Sequence, residues 1–168
     1  PTGYLTDVAG VIDPGSAARI ESIARTLREK TGAELAVVTL PTIDRFEASD
    51  VALMIGRRWG VGARAEVGDK IRNAGVIILV VPRREGQAGK IRIEVGDGLQ
   101  GVPTDATSGR IRDAMRPQLA AGEYGPGLVT GVETTAALVA KDLGDRDSTL
   151  VPPRGAASPG AGPPTFLV

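Results

Sequence analysis

Carboxylates and glycines crowd one short stretch of this chain, Ile93-Glu94-Val95-Gly96-Asp97-Gly98-Leu99-Gln100-Gly101-Val102-Pro103-Thr104-Asp105. Two chemistries suit such a run. Gly96, Gly98 and Gly101 spell G-x-G-x-x-G, which in a dinucleotide-binding unit brings backbone N–H groups up to a pyrophosphate at a helix N-terminus. Alternatively, glycines that accept positive φ let the loop fold back, so that oxygens of Glu94, Asp97 and Asp105 converge on a hard cation. The first reading requires a second strand after the motif, with an acidic residue at its end about 20 positions on. No strand-like run follows here. Glu123, at about that distance, sits in a Gly/Tyr turn after a helix, and Val102-Pro103 parts the last glycine from the helix start. The dinucleotide pattern is coincidental. The cation reading is not an EF-hand, whose alternating acidic ligands and terminal Glu are missing. It competes with a purely structural one, in which Asp105 caps a helix and Glu94 is a solvated strand residue. Spacing alone favours the structural reading.

The residue types that are absent narrow the chemistry further. There is no cysteine and no histidine, which removes thiolate nucleophiles, Cys or His zinc sites, Ser–His–Asp triads and phosphohistidine intermediates. Carboxylates, Lys, Arg, Tyr, hydroxyls and oxygen-ligated metals remain, and an oxygen-only ligand set favours Ca²⁺, Mg²⁺ or Mn²⁺. The run Asp145-Arg146-Asp147-Ser148-Thr149 imitates the D-x-D-x-T of aspartate-based phosphatases. In those enzymes the first Asp follows a buried parallel strand that fixes it. Here it follows a helix and precedes a proline-rich segment, so catalysis there is rejected.

The elements that must position these residues are legible in outline. Asp13 as cap, Pro14 in the first turn and Gly32 after the last predict a helix over Pro14 to Thr31, with Ile20, Ile23, Ala24 and Leu27 on one face. "ELAVVTL" (34–40) reads as a strand covered on both faces and stopped by Pro41. A second helix is predicted over roughly Arg45 to Trp59, with Ala52, Ile55 and Trp59 inward. "GVIILVVP" is the most strand-like segment, "REGQAG" a turn, and "KIRIEV" (90–95) an alternating strand that closes an antiparallel hairpin. A third helix starts at Thr104 or Asp105 and is bent or ended by Pro117. The last runs from about Pro126 to Leu143, carrying Leu128, Val132, Val139 and Leu143 along one stripe. The order α-β-α-β-β-α-α predicts a small mixed sheet between helix layers, its first two strands parallel through a right-handed crossover.

Length and composition agree with one domain. The chain has 168 residues, 42% of them hydrophobic and only 3% aromatic, so the core must be built from Val, Ile, Leu and Ala. Twenty basic residues balance twenty acidic ones, which gives no argument for a nucleic-acid partner or an anionic membrane surface. Residues 1–143 are assigned to the folded domain. Residues 144–168, with "PPRGAASPGAGPP", are assigned to a flexible, extended linker. No transmembrane segment or signal peptide is read within the chain. Trp59 reads as a core anchor, Arg92 as an ion-pair partner of Glu94 ahead of a phosphate ligand, Tyr124 as packing beside its glycine turn, and Arg57-Arg58 as solvated.

Several segments taken together resemble the TPM domain family: "LTDVAGVIDPGSAARIESIARTLREKTGAELAVVTLPTI", "RRWGVG", "GVIILVV", "IRIEVGDGLQGVPTDA" and "RPQLAAGEYGPGL". The most specific part is Arg92-x-Glu94-x-Gly96-x-Gly98-Leu99-x-Gly101 followed by Asp105, Pro117 and Gly122-x-Tyr124, and the likeness runs from about Tyr4 to Leu143. The resemblance implies a three-layer α/β/α sandwich with a small mixed sheet. It also implies an exported protein, membrane-anchored C-terminal to these residues in full length, that acts with a membrane protein or assembly partner. A divalent ion, Ca²⁺ first, would be held by Asp7 with Glu94 and Asp105, and the loop's own Asp97 joins them as a candidate ligand. Two substitutions depart from the family pattern, since Gln100 replaces its usual Glu and Asp97 a position more often Tyr or Arg. Asn73-Ala74 also stands where Asp-Asn is frequent. The resemblance leaves two function classes open. One is a cation-binding module in assembly, repair or quality control at a membrane; the other is a metal-dependent acid phosphatase.

Overall fold

The computed structural model describes residues 3–59, 75–96, 99 and 104–142. Asp13 opens the first helix, α1 (Pro14–Thr31), as the sequence predicts. Its carboxylate accepts from the Ser16 N–H at 2.9 Å, and Gly32, at φ 78°, closes the helix in the left-handed conformation. The elements run β1 (Leu5–Asp7), α1, β2 (Glu34–Thr39), α2 (Ala48–Trp59), β3 (Gly75–Val81), β4 (Lys90–Val95), α3 (Thr104–Ala120) and α4 (Tyr124–Asp142). The strands lie in the order β1-β2-β3-β4, the first three parallel and β4 antiparallel to β3.

Strand alternation sends successive side chains to opposite faces. Leu35, Val37, Ile78, Val80 and Ile93 face α1, α3 and α4, where they meet Ile20, Leu27, Ile111, Met115, Leu128 and Val132 in one continuous core. Ala36, Val38, Ile77, Leu79 and Val81 face the other way, onto Val51 and Ala52 of α2, with Ile55 and Trp59 packed at the margin. All seven residues of β3 are buried, because it is an inner strand covered on both faces. The result is an α/β/α sandwich around a mixed sheet, as expected.

Three details correct the sequence reading, and a fourth adds to it. β1 is an additional strand, three residues long and too short to show a period of two. The second helix starts at Ala48 rather than Arg45, because a turn with Asp44 at φ 51° and a Phe46 N–H bond to the Ile43 carbonyl occupies the preceding residues. Pro117 does not end α3, which continues to Ala120. Its missing N–H would have bonded the carbonyl of Asp113, an exposed residue that water can satisfy. The end is set instead by Gly122 at φ 79°, with Glu123 N–H on the Gln118 carbonyl at 2.9 Å and Gly122 N–H on that of Leu119 at 3.1 Å. Finally, both crossovers step the same way across the sheet, yet α1 and α2 cover opposite faces. They are therefore of opposite hand, and the right-handed rule holds for only one of them.

Candidate functional site

Opposite-handed crossovers have a local consequence. The chain leaves β1 toward one face and leaves the adjacent β2 toward the other, so the carboxyl ends of these two strands are where the connections part. Asp7 and Thr39 sit there as register partners. Oδ1 of Asp7 accepts from the Val11 N–H at 3.2 Å and from the Thr39 hydroxyl, while Oδ2 accepts from the Ile12 N–H at 3.0 Å. The fully buried Thr39 hydroxyl oxygen in turn accepts from the Ala9 N–H at 3.2 Å. The Asp7 carboxylate is thus the organiser of the turn between β1 and α1. Three of its roughly four acceptor positions are already taken.

The glycine loop lies at the other end of the sheet. Gly96 N–H bonds the Gly75 carbonyl at 2.8 Å, and Leu99 N–H returns to the Gly96 carbonyl at 3.2 Å, so the chain reverses just past β4. Leu99 is buried in the larger core. Ser108 of α3 donates its hydroxyl to the Ile93 carbonyl at 3.4 Å, which draws the start of α3 alongside the end of β4. Asp105, in the first turn of α3, is exposed. Glu94 is half-buried and accepts from both Nε and one terminal nitrogen of Arg92, at 3.1 and 2.9 Å. The structural ion pair expected for Arg92 is therefore present.

These positions separate the four carboxylates proposed from the sequence as one ligand set. Asp7 lies on edge strand β1, on the face of the larger core; Glu94 pairs with Ile77 on edge strand β4 and points toward the α2 face. Three strand spacings and three residues of register part them, about 14 Å across the sheet and about 10 Å along it. No single ion with ligands within about 2.6 Å can reach both. Glu94 and Asp105 do share one end of the sheet, and Asp97 lies outside the described residues. Among the described residues no three carboxylates gather closely enough to hold a metal ion. Asp145 to Thr149, the linker 144–168 and Leu143 also lie outside them.

A family model for the TPM domain matches residues 5–138. The chain belongs to the TPM domain family. Three solved structures are similar to it. The N-terminal domain of a Porphyromonas gingivalis protein (P.gingivalis) is 30% identical, with a TM-score of 0.70 and coverage of 85% of each chain. The N-terminal domain of a Corynebacterium glutamicum protein is 17% identical, with a TM-score of 0.60, covering 80% of this chain and 78% of that one. A protein of the psychrophilic bacterium Bizionia argentinensis is 21% identical at a TM-score of 0.60, covering 78% and 83%. The latter two support the fold alone. No curated protein matches.

Sequence reasoning missed a second feature of this TPM domain. A cleft of about 390 Å³ opens between the β3–β4 hairpin and the second half of α3, and Arg83, Lys90, Arg112 and Arg116 all line it. Its remaining walls include Val80, Ile91, Leu119 and Tyr124. Tyr124 does more than pack beside its glycine turn, because its hydroxyl oxygen accepts from the Arg83 N–H at 2.9 Å and ties α4 to the hairpin. The four cations come from separate segments, and a balanced net charge conceals their convergence. Arg57 and Arg58 are exposed on α2, as expected.

Proposed function

We propose that this TPM domain is a binding and assembly module, exported and tethered at a membrane, rather than a hydrolase. The observation that carries this reading is the use already made of its carboxylates. Asp7 is bound by two backbone N–H groups and a buried hydroxyl, and Glu94 is paired with Arg92. A general base must have a free lone pair within hydrogen-bond reach of the proton it takes; Asp7 has three of its acceptor positions filled, and Glu94, whose Oε2 takes both Arg92 bonds, is left with Oε1. Asp105 is exposed in a first helical turn with no cation-lined pocket of its own among the described residues. The domain therefore lacks a described constellation for phosphomonoester hydrolysis.

In the same reading a divalent cation, Ca²⁺ before Mg²⁺ or Mn²⁺, binds at the glycine loop through Glu94, Asp97 and Asp105, without Asp7. Support comes from the loop reversal after β4 and from Ser108, which bring the end of β4 and the start of α3 together at one end of the sheet, with Glu94 on the α2 face and Asp105 at the head of the helix that covers the other. Such an ion would fix the loop and modulate binding. Among the described residues no helix is long and apolar enough to cross a membrane, so the tether is assigned to sequence outside them, on the family resemblance. The module does present surface to a partner, since Phe46 and, on α2, Leu53 and Met54 are exposed apolar side chains.

A phosphomonoester assay tests the choice between classes. Purified wild type and Asp105→Asn are compared with Mg²⁺, Mn²⁺ or Ca²⁺ and with EDTA. The module reading expects no turnover above the buffer blank in any arm. Turnover abolished by both EDTA and Asp105→Asn would replace it with the phosphatase.

A further inference from the structure

Strand β4 is an edge strand, and its register fixes which backbone groups are unpaired. The Gly96 N–H donates a ladder bond to the Gly75 carbonyl, and in an antiparallel pair such bonds recur at every second residue. Glu94, Arg92 and Lys90 therefore bond β3, and the N–H and C=O groups of Ile91, Ile93 and Val95 point away from it. The Ser108 hydroxyl on the Ile93 carbonyl shows both the direction and how α3 covers that part of the edge. Toward the hairpin the cover changes. Ile91 lines the cleft instead, across from Arg112, Arg116 and Leu119 of α3, and no side chain among the described residues bonds its backbone.

Charge at this place is one-sided. Arg83, Lys90, Arg112 and Arg116 line the cleft, and among the described residues no carboxylate does. Among the described residues Arg83, Lys90 and Arg112 make no ion pair, and that of Arg116 is a 4.0 Å contact with the solvent-exposed Asp113. Converging cations repel one another and favour an anionic occupant. The apolar walls and the open backbone rung at Ile91 specify more than a small anion. They fit a chain that has both a backbone to pair and side chains to bury.

We propose that the cleft receives an extended acidic peptide segment of a partner protein. Its backbone adds to β4 at Ile91, by the mode in which a strand is added to an exposed sheet edge. Residues whose side chains face α3 set carboxylates against Arg112 and Arg116, where guanidinium groups can bind them in fork geometry, with Leu119 and Tyr124 beside them. Residues of the other parity pass to the opposite face of the sheet, on the side of Lys90. This deepens the binding-module reading and rests on it.

The test measures binding of a fluorescent peptide of alternating Glu and Val by anisotropy, at low and moderate salt. A Gln/Val version and a version N-methylated at its central residues are run beside it. Wild type binds the acidic peptide, more weakly as salt rises, and binds the Gln/Val and N-methylated forms at least about tenfold more weakly, the scale of losing a charge-assisted hydrogen bond. Arg112→Gln and, independently, the exposed Arg83→Gln and Arg116→Gln weaken acidic-peptide binding by a similar factor, with melting temperatures checked to be near wild type. Arg57→Gln on α2 leaves it unchanged. Equal binding of the N-methylated peptide, or competition by inorganic phosphate as strong as by the peptide, overturns the proposal in favour of a simple anion site. Stronger competition by RNA or by anionic vesicles overturns it in favour of a polyanion or lipid surface. Absence of binding while the phosphatase assay stays negative overturns the peptide proposal alone and leaves the module reading standing.

Discussion

Asp7 shows how one carboxylate can be essential without meeting a ligand. Its three acceptor contacts span 4, 5 and 32 residues of sequence, and removing the side chain orphans two backbone N–H groups and the buried Thr39 hydroxyl. Leaving a buried donor unpaired costs on the order of 1–3 kcal/mol. Asp7→Ala should therefore lower unfolding free energy by about 2 kcal/mol or more, read from the midpoint of a urea titration; a loss within error would deny Asp7 its organising role. The sequence marks Asp7 as noteworthy only through family likeness, and assigns it the wrong neighbours. Its true partner Thr39 is set by the pairing of β1 with β2, and a three-residue strand carries no periodic signal from which that pairing can be read. Arg92 and Glu94, by contrast, are legible because two residues of one strand face share a side by geometry alone.

At the scale of elements, the boundaries that follow local rules are the legible ones. Asp13, Pro14 and Gly32 delimit α1 because caps act within a few residues of themselves. The Ser16 backbone N–H, followed by the Ser16 side chain, holds the Asp13 carboxyl below the usual carboxylate range. A lowered folded-state pKa means that the cap's contribution is present above the ordinary carboxylate pKa and is lost as pH falls through the folded value. Asp13→Ala should accordingly lower the melting temperature at neutral pH, and the gap to wild type should close as the solution is acidified through that range. A gap that stayed constant with pH would mean the charge is not involved. The contact of α3 with α4 is less local. A Cβ on Gly131 would come within 2.5 Å of the Met115 sulfur and 2.8 Å of its Cγ, so Gly131→Val should overpack the interface and cost about 1–3 kcal/mol, measured by chemical unfolding. Neither this approach nor the late start of α2 is visible in the sequence, since the first depends on distant packing and the second on a turn with Asp44 at positive φ.

The whole molecule decides what the sequence could only assemble as a set. Sequence order and hydrophobic runs suffice for the sandwich and its antiparallel hairpin, because each strand declares its burial in its own composition. They do not suffice for the site. Asp7 lies beside Thr39 at one end of the sheet, where the connections from β1 and β2 part, whereas the reversal after β4 brings the end of that strand near the start of α3 at the other. Four cations from the hairpin, β4 and α3 meet in one cleft while the chain's formal charge is zero. The carboxylates thus fall into two groups, Asp7, which holds a turn, and those of the glycine loop, to which the proposed cation is assigned.

Thermal melting with and without millimolar Ca²⁺, on wild type, Asp7→Asn and Asp105→Asn, tests that division most directly. A ligand that binds only the folded state stabilises it by RT ln(1 + [L]/Kd), about 2.7 kcal/mol at a hundredfold excess over Kd. Wild type is expected to rise by several degrees, Asp7→Asn by the same amount from a lower starting temperature, and Asp105→Asn not at all. A wild type indifferent to Ca²⁺, or a rise that disappears in Asp7→Asn and persists in Asp105→Asn, would contradict that division.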